Sequence, residues 1–169
     1  MSAMKLIAHP VAAQKGIAAL DSVDRAILRH LQQDASLSIV SLAAKVKRSA
    51  PACLRRVKRL KETGLIRRVV ALLDAKAIGA GMFAVIGIVL DGSTPEAFAA
   101  FEKAAQKVSG CVTCYAVSGQ FDYILLVRAR GNESFNRLHA AQLLHLPGVR
   151  ELRSFKVLKE VLSTQAIPL

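Results

Sequence analysis

Tryptophan is absent from the 169 residues, and Phe, Trp and Tyr together make up only 5%. No Lys/Arg-Gly-Phe-x-Phe run occurs, so the stacking platform of an RNA-recognition sheet is missing. Cysteine is scarce and odd in number, with three residues, which excludes a disulfide framework and points to a reducing, cytoplasmic setting. Long apolar runs are also lacking. The longest, Ile78 to Leu90, has 13 residues, whereas a bilayer span needs roughly 20. His9-Pro10 and Gln14-Lys15 interrupt any secretory apolar core, so residues 1–19 read as a loose N-terminal extension and no membrane partner is expected. Acids are the last shortage: 12 Asp and Glu face 24 Lys and Arg, a net charge of +12. With 53% apolar residues the chain has material for a core, and its basic balance suits an acidic polymer as partner.

The charge is concentrated. Residues 1–72 hold 14 basic and 4 acidic side chains, and residues 73–169 hold 10 and 8. Lys45 to Arg68 carries ten basic residues against one acid, Glu62. Beneath this charge lies a helical pattern. Asp21-Ser22 opens a first helix with Val23, Ile27 and Leu31 at helical spacing. Ser38 is placed to cap a short second helix. Ser49 and Pro51 start a third, SAPACLRRVKRLKETG, which Gly64 stops. LIRRVVALLD then reads as a basic, extended strand, a candidate wing. Three helices, the second and third joined by a tight turn, form a helix-turn-helix.

On a helical wheel with Cys53 as the origin, Val57 and Leu60 fall to either side of it, and the three form a packed seam. Lys58, Arg55, Arg59 and Ala52 fall on the far side of the wheel, so the face opposite the seam is basic with one small residue. Arginine there can read guanine in a major groove, and the flanking cations hold phosphates. A solvated basic face is the plainer reading of any charge run; the helical seam under this one favours double-stranded DNA as the partner.

The pattern changes after DAKAIGAG, Asp74 to Gly81, a small-residue hinge. MFAVIGIVLD is an apolar strand. TPEAFAAFEKAAQKV is a helix capped by Thr94 with Phe98, Phe101, Ala105 and Val108 on one side. GCVTCYAVSG and FDYILLVR are strands. NESFNRLHAAQLLHL is a helix with Asn132 or Ser134 near its cap, ended by Pro147-Gly148. Val149, Leu152, Phe155, Val157, Leu158 and Val161 predict a long final strand. This βαββαβ order is ferredoxin-like. Its helices cover one sheet face, and a second copy of the chain is the simplest cover for the other, giving a homodimer. The fold class is therefore α+β, an N-terminal winged helix-turn-helix followed by a C-terminal ferredoxin-like domain. The expected divisions are an extension over 1–19, a DNA-binding domain over 20–73, a hinge over 74–80 and an effector-binding and dimerisation domain over 81–169.

Other constellations point nowhere catalytic. Cys111 and Cys114 have half-site spacing, but an offset of three along a strand sets side chains on opposite faces, and no second Cys/His pair follows. Cys53 lies on the packed seam. His30, His139 and His145 are scattered, and the last two share no helical face. There is no Ser-His-Asp set, paired carboxylate site or Gly-rich phosphate loop. No enzyme activity, metal or cofactor is expected.

SAPACLRRVKRLKETGLI, Ser49 to Ile66, resembles the recognition-helix segment of the Lrp/AsnC (feast/famine) transcription regulators. LDSVDRAILRHLQQDAS resembles their first helix. VSGQFDYILLV, Val117 to Val127, resembles their effector-loop motif, and LPGV with SFKVLKEV their last strand. The resemblance runs in order from about Leu20 to Pro168. It implies a DNA-binding regulator that dimerises, assembles into octamers or similar rings, and answers to a small amino-acid effector. The DNA-contacting set is then Lys47, Arg48, Ser49, Pro51, Arg55, Arg56, Lys58 and Arg59. The effector loop is Ser118, Gly119, Gln120, Phe121, Asp122 and Tyr123, with Gly119 allowing close backbone approach and Asp122 placed to pair an α-ammonium. A plain β-turn, with Asp122 capping the chain and Phe121 and Tyr123 packed, is the competing reading of that loop.

Three departures stand out. Lys47 and Arg48 occupy places where the family usually has Gly and an apolar residue, and a left-handed Lys47 costs roughly 1 kcal/mol. The usual proline is shifted in Ser49-Ala50-Pro51. Gln120 replaces a common Asp. The alternative function is an effector-independent, nucleoid-type architectural protein binding DNA or RNA.

Overall fold

A computed structural model of the protein describes residues 20–169; the extension expected over 1–19 lies outside the described residues. The chain divides into two compact units. One holds residues 20–72 together with Val161–Leu169, and the other holds Leu73–Glu160.

The first unit has three helices: α1 Ser22–Gln33, α2 Ile39–Lys45 and α3 Ala50–Glu62. Asp21 caps α1 by accepting from the Asp24 N–H at 2.8 Å. Ser38 caps α2 by accepting from the Ser41 N–H at 3.1 Å. Ser49 is the first residue before α3, but its hydroxyl caps nothing, and Pro51 sits in the opening turn. Ile27, Leu42, Ala43, Val46, Cys53, Val57 and Leu60 form the core, so the seam expected on α3 is the buried one. Beyond the helices, the backbone of Ile167 pairs with the side-chain amide of Gln32: its N–H donates to Oε1 at 2.6 Å and its carbonyl accepts from Nε2 at 3.0 Å. Arg29 Nε donates to the main-chain oxygen of Leu169 at 3.2 Å.

One expectation fails in this unit and another is met. Residues 67–74 carry no strand, and Val69, Val70, Leu72 and Leu73 stand exposed. An extended segment becomes a strand only against a partner edge, and among the described residues none lies beside it. Lys47, in the turn between α2 and α3, has φ 53° and is the one left-handed residue other than glycine among those described. Replacing Lys47 with Gly should therefore stabilise this unit by about 0.5–1 kcal/mol, the strain relieved less the added freedom of the unfolded chain. A denaturation midpoint that stays or falls would show that Lys47 contributes something that offsets its strain.

The second unit runs β1 Met82–Leu90, α4 Pro95–Ala105, β2 Cys111–Ala116, β3 Tyr123–Ala129, α5 Asn132–Ala141, a 3-10 turn Leu143–His145, and β4 Val149–Lys156. The strand order is β2-β3-β1-β4, antiparallel throughout, which is the ferredoxin-like arrangement. Thr94 caps α4 through the Ala97 N–H at 3.2 Å. Helix α5 starts one residue earlier than expected: Gly131 takes the capping position, and Asn132 Oδ1 instead accepts from Lys156 Nζ at 3.1 Å. The final strand stops at Lys156, which pairs with Ala84; Val157 adds one bond, its N–H donating to the Phe83 carbonyl at 2.9 Å, and past Met82 β1 offers no further edge. Leu158 and Val161, expected within it, are 99% and 88% exposed.

The core lies between the sheet and its helices. Ala84, Ile86, Ile88 and Leu90 of β1 and Tyr123, Leu125 and Val127 of β3 face Phe101, Ala105, Phe135 and Leu138. The other face carries Val85, Ile124, Leu126, Tyr115 and Phe155, with Tyr115 and Phe155 more than half exposed.

The two sheet cysteines need a further correction. A register shift between Cys111 and Thr113 inserts Val112 as a bulge. Cys111 then lies opposite Val127 and Cys114 opposite Leu125, both helix-facing residues, so the two cysteines share a face. Desolvation, with smaller contributions from Cys111 and Glu102, raises the Cys114 thiol to about 11 from an ordinary 9.0. At pH 8 this solvent-exposed thiol should react with a disulfide reagent about ten-fold more slowly than an unperturbed one, since its scarcer thiolate is also the stronger nucleophile. A rate within a few-fold of free cysteine would contradict that placement. Among the described residues no three His, Cys, Asp or Glu side chains come together as a metal site, and no helix is long and apolar enough to cross a membrane.

Candidate DNA-binding face and effector loop

Helix α3 sets Cys53, Val57 and Leu60 inward, and its outward side follows from the helical period. Arg55 and Lys58 are exposed there. Lys58 makes only a loose ion pair with Glu62, at 3.8 Å and solvent-exposed, an arrangement worth about 0.3–0.5 kcal/mol. Arg48 donates to the Lys47 carbonyl at 3.1 Å, which draws its guanidinium back over the turn. Arg48, Ala52, Arg55, Arg56 and Arg59 line an open concavity of about 450 Å³. Ala52, the one small residue on the basic face, leaves that hollow between the arginines.

Two of the four arginines are not free. Asp24, on α1, is 1% exposed. Its Oδ1 accepts from Arg56 Nη1 at 2.8 Å and its Oδ2 from Arg59 Nη2 at 2.5 Å. Asp21 Oδ2 adds a second bond to Arg56 Nη1, at 2.6 Å. The Asp24 backbone N–H, and then Arg56, hold the Asp21 carboxyl below its ordinary 3.8, while Asp24 and Asp21 hold the Arg56 guanidinium above its own value. A lowered carboxyl stabilises the folded state above pH 3.8, and that contribution fades as pH falls through the lowered value. Arg56 and Arg59, expected among the DNA contacts, are thus engaged within the protein, and Lys47, Arg48, Arg55 and Lys58 remain as the outward cations. Sequence reading missed this clamp. Its signal was present: acids three apart at the start of α1, and a place for Arg56 on the wheel beside the seam rather than opposite it.

The effector loop joins β2 to β3. Ser118, Gly119 and Gln120 are exposed, and Gly119 has φ 126°. The Phe121 ring lies against Gly87 so closely that a Cβ there would come within 2.7 Å of its carbons. Asp122 ties the loop to β1. Its N–H donates to the Ile88 carbonyl at 2.9 Å, its Oδ2 accepts from the Leu90 N–H at 2.8 Å, and its carbonyl accepts from the Val117 N–H at 2.9 Å. Tyr123 does not belong to the loop surface. It is 3% exposed, its ring centroid is 4.5 Å from that of Phe101, and its hydroxyl donates to Glu102 Oε1 at 2.8 Å. Burial first, and the Glu102 carboxylate second, push the Tyr123 hydroxyl well above its ordinary value. The structure therefore shows the capping role for Asp122 and the packed role for Tyr123. Ser118, Gly119 and Gln120 stay exposed, and only one carboxylate oxygen of Asp122 is used by that cap.

These two faces have counterparts in known proteins. Residues 20–67 match the family described as winged helix-turn-helix DNA-binding, and residues 83–167 match the Lrp/AsnC ligand binding domain. The chain belongs to the Lrp/AsnC family. The leucine-responsive regulatory protein of Escherichia coli K12 is 38% identical over 142 residues, covering 84% of this chain and 87% of that protein. A transcriptional regulator of Neisseria meningitidis, solved in complex with L-Met, superposes with a TM-score of 0.84 at 31% identity, covering 89% of this chain and 97% of its own. An AsnC family transcriptional regulator from Agrobacterium tumefaciens gives 0.84 at 29%, covering 88% and 97%. This Lrp/AsnC chain is thus a DNA-binding transcription regulator, an α+β protein with a winged helix-turn-helix and a ligand-binding domain, as its sequence implied. These three relatives are named as regulators, not as enzymes.

Proposed function

We propose that this regulator is a sequence-specific, cytoplasmic, non-catalytic protein whose α3 enters the major groove of double-stranded DNA. A small amino acid held at the loop Ser118–Asp122 shifts its assembly and DNA binding. The observation that carries the DNA half is the arginine-lined concavity at Arg48, Ala52 and Arg55, open on a helix whose other side is buried. The domain divisions at 20–73, 74–80 and 81–169 belong to the same proposal, with the tail Val161–Leu169 returning to the helical unit. Lys47, Ser49 and Pro51 place the start of α3, and Arg48, Arg55 and Lys58 supply its contacts. The apolar sheet face around Val85 and Leu126 supports a homodimer, and dimers joining further, to an octamer, would bring effector loops together. The L-Met bound to the Neisseria relative supports an amino acid as ligand.

The test is fluorescence anisotropy with DNA from upstream of the protein's own gene, in excess random competitor, with and without the twenty amino acids. Competitor-resistant binding that moves with the amino acids is expected. Tight binding that ignores them would favour an architectural role. Asp122→Asn keeps an acceptor for Leu90 but removes the charge. It should weaken the amino-acid response about ten-fold or more while leaving DNA binding measurable. A normal calorimetric titration of the variant would remove Asp122 from the ligand's partners.

A further inference from the structure

The buried carboxylate of Asp24 has no role in the reading above, yet it contacts two of the four arginines in the DNA-facing hollow. We infer that Asp24 is a positioning residue for DNA recognition: it holds Arg56 and Arg59 away from the phosphates and so limits non-specific binding. The inference rests on the proposal that α3 meets DNA.

The geometry is that of a shared clamp. Each oxygen of Asp24 takes one arginine, at 2.8 and 2.5 Å, and Asp21 takes a second bond from the first at 2.6 Å. Arg59 is half exposed and Arg56 about a quarter exposed, so both side chains have room to swing outward if released. Asp24 has no such freedom. It is buried in the first turn of α1, and its own N–H is held by Asp21. A buried carboxylate stripped of its partners is costly, so it resists giving both arginines up to a phosphate. Arg48 and Arg55 line the same hollow and have no acid within 4.0 Å among the described residues. The arginines therefore divide into two restrained and two free.

The division has a measurable sign. Each phosphate contact steepens the fall of log K with log salt by about 0.9, and at about 0.1 M salt adds on the order of ten-fold to affinity for any sequence. Restraining two arginines per protomer lowers binding to random DNA and leaves base-reading contacts to make the difference between sites.

The experiment measures the salt dependence of binding to a random-sequence duplex by anisotropy, using the full chain and the variants Asp24→Asn, Arg59→Gln and Arg55→Gln. Asp24→Asn should raise affinity for random DNA by about ten-fold and steepen the slope by about one to two per protomer. Arg59→Gln should leave the slope unchanged. Arg55→Gln should make it shallower by about one per protomer. If Asp24→Asn melts below the assay temperature, Arg59→Gln decides alone, since it keeps Asp24 paired with Arg56. A slope for Arg59→Gln that falls as far as that for Arg55→Gln overturns the inference, because Arg59 then touches phosphate. So does a folded Asp24→Asn with an unchanged slope. No change for Arg55→Gln, by contrast, overturns the placement of α3 on DNA.

Discussion

Replacing Arg48 and Arg55 together by Ala should reduce specific DNA binding about 100-fold or more, the largest functional effect expected of any pair in the helical unit. The two side chains line the hollow on α3 with no acid restraining them among the described residues. A base contact by arginine is worth about 1–3 kcal/mol, and a phosphate contact about one step of the salt slope. A dimer presents each arginine twice, so the losses compound. Neither side chain contributes to the core around Ile27, Leu42 and Leu60, so the melting temperature should hold. Affinity within a few-fold of the parent, with the fold intact, would move the DNA contact off this helix.

The largest effect on stability should come from Gly110→Ala. Gly110 precedes β2 at φ +76°, and a Cβ built there stands 2.4 Å from the Arg128 carbonyl oxygen. The Gly110 carbonyl in turn accepts from the Arg128 N–H at 2.8 Å, so β3 cannot recede without losing that bond. Left-handed strain and a clash with main chain add, and a loss of about 2–4 kcal/mol is expected. For a unit of this size that is a fall in melting temperature of about 10 °C or more, read by calorimetry. A shift of only about 2 °C would mean that the turn before β2 yields easily. DNA binding by the helical unit should survive at temperatures where the sheet unit still folds.

Much of this was legible in one sequence because the deciding signals were local. The Cys53, Val57 and Leu60 seam, the caps at Asp21, Ser38 and Thr94, and the βαββαβ order each rest on helical or strand periodicity and on the residues that open a helix. The positive φ at Lys47 was readable from the resemblance, which usually has a glycine at that place. What failed depended on partners distant in sequence. The extended run after α3 reads as a strand, but β-branched residues make a strand only beside another edge. The alternation through Val161 is real, yet β1 begins only at Met82 and offers it no edge to pair with. The bulge at Val112 reversed the cysteine argument, because one extra residue changes which face each side chain meets. Near the candidate site, the exposure of Arg55 was legible from the wheel, whereas the restraint on Arg56 and Arg59 needed α1 laid against α3.

The pairing of Gln32 with Ile167 joins residues 135 apart in sequence. Closing a loop of that length costs roughly 1–2 kcal/mol more chain entropy than docking three neighbouring helices, and such non-local contacts form late. During synthesis the helices emerge first and gain their local contacts while the ribosome is still building the sheet unit. Their final seal waits for the last segment to arrive. Folding kinetics should then show a fast helical phase and a slow one that vanishes when residues 161–169 are removed, and a fragment spanning 20–72 alone should lack that late step.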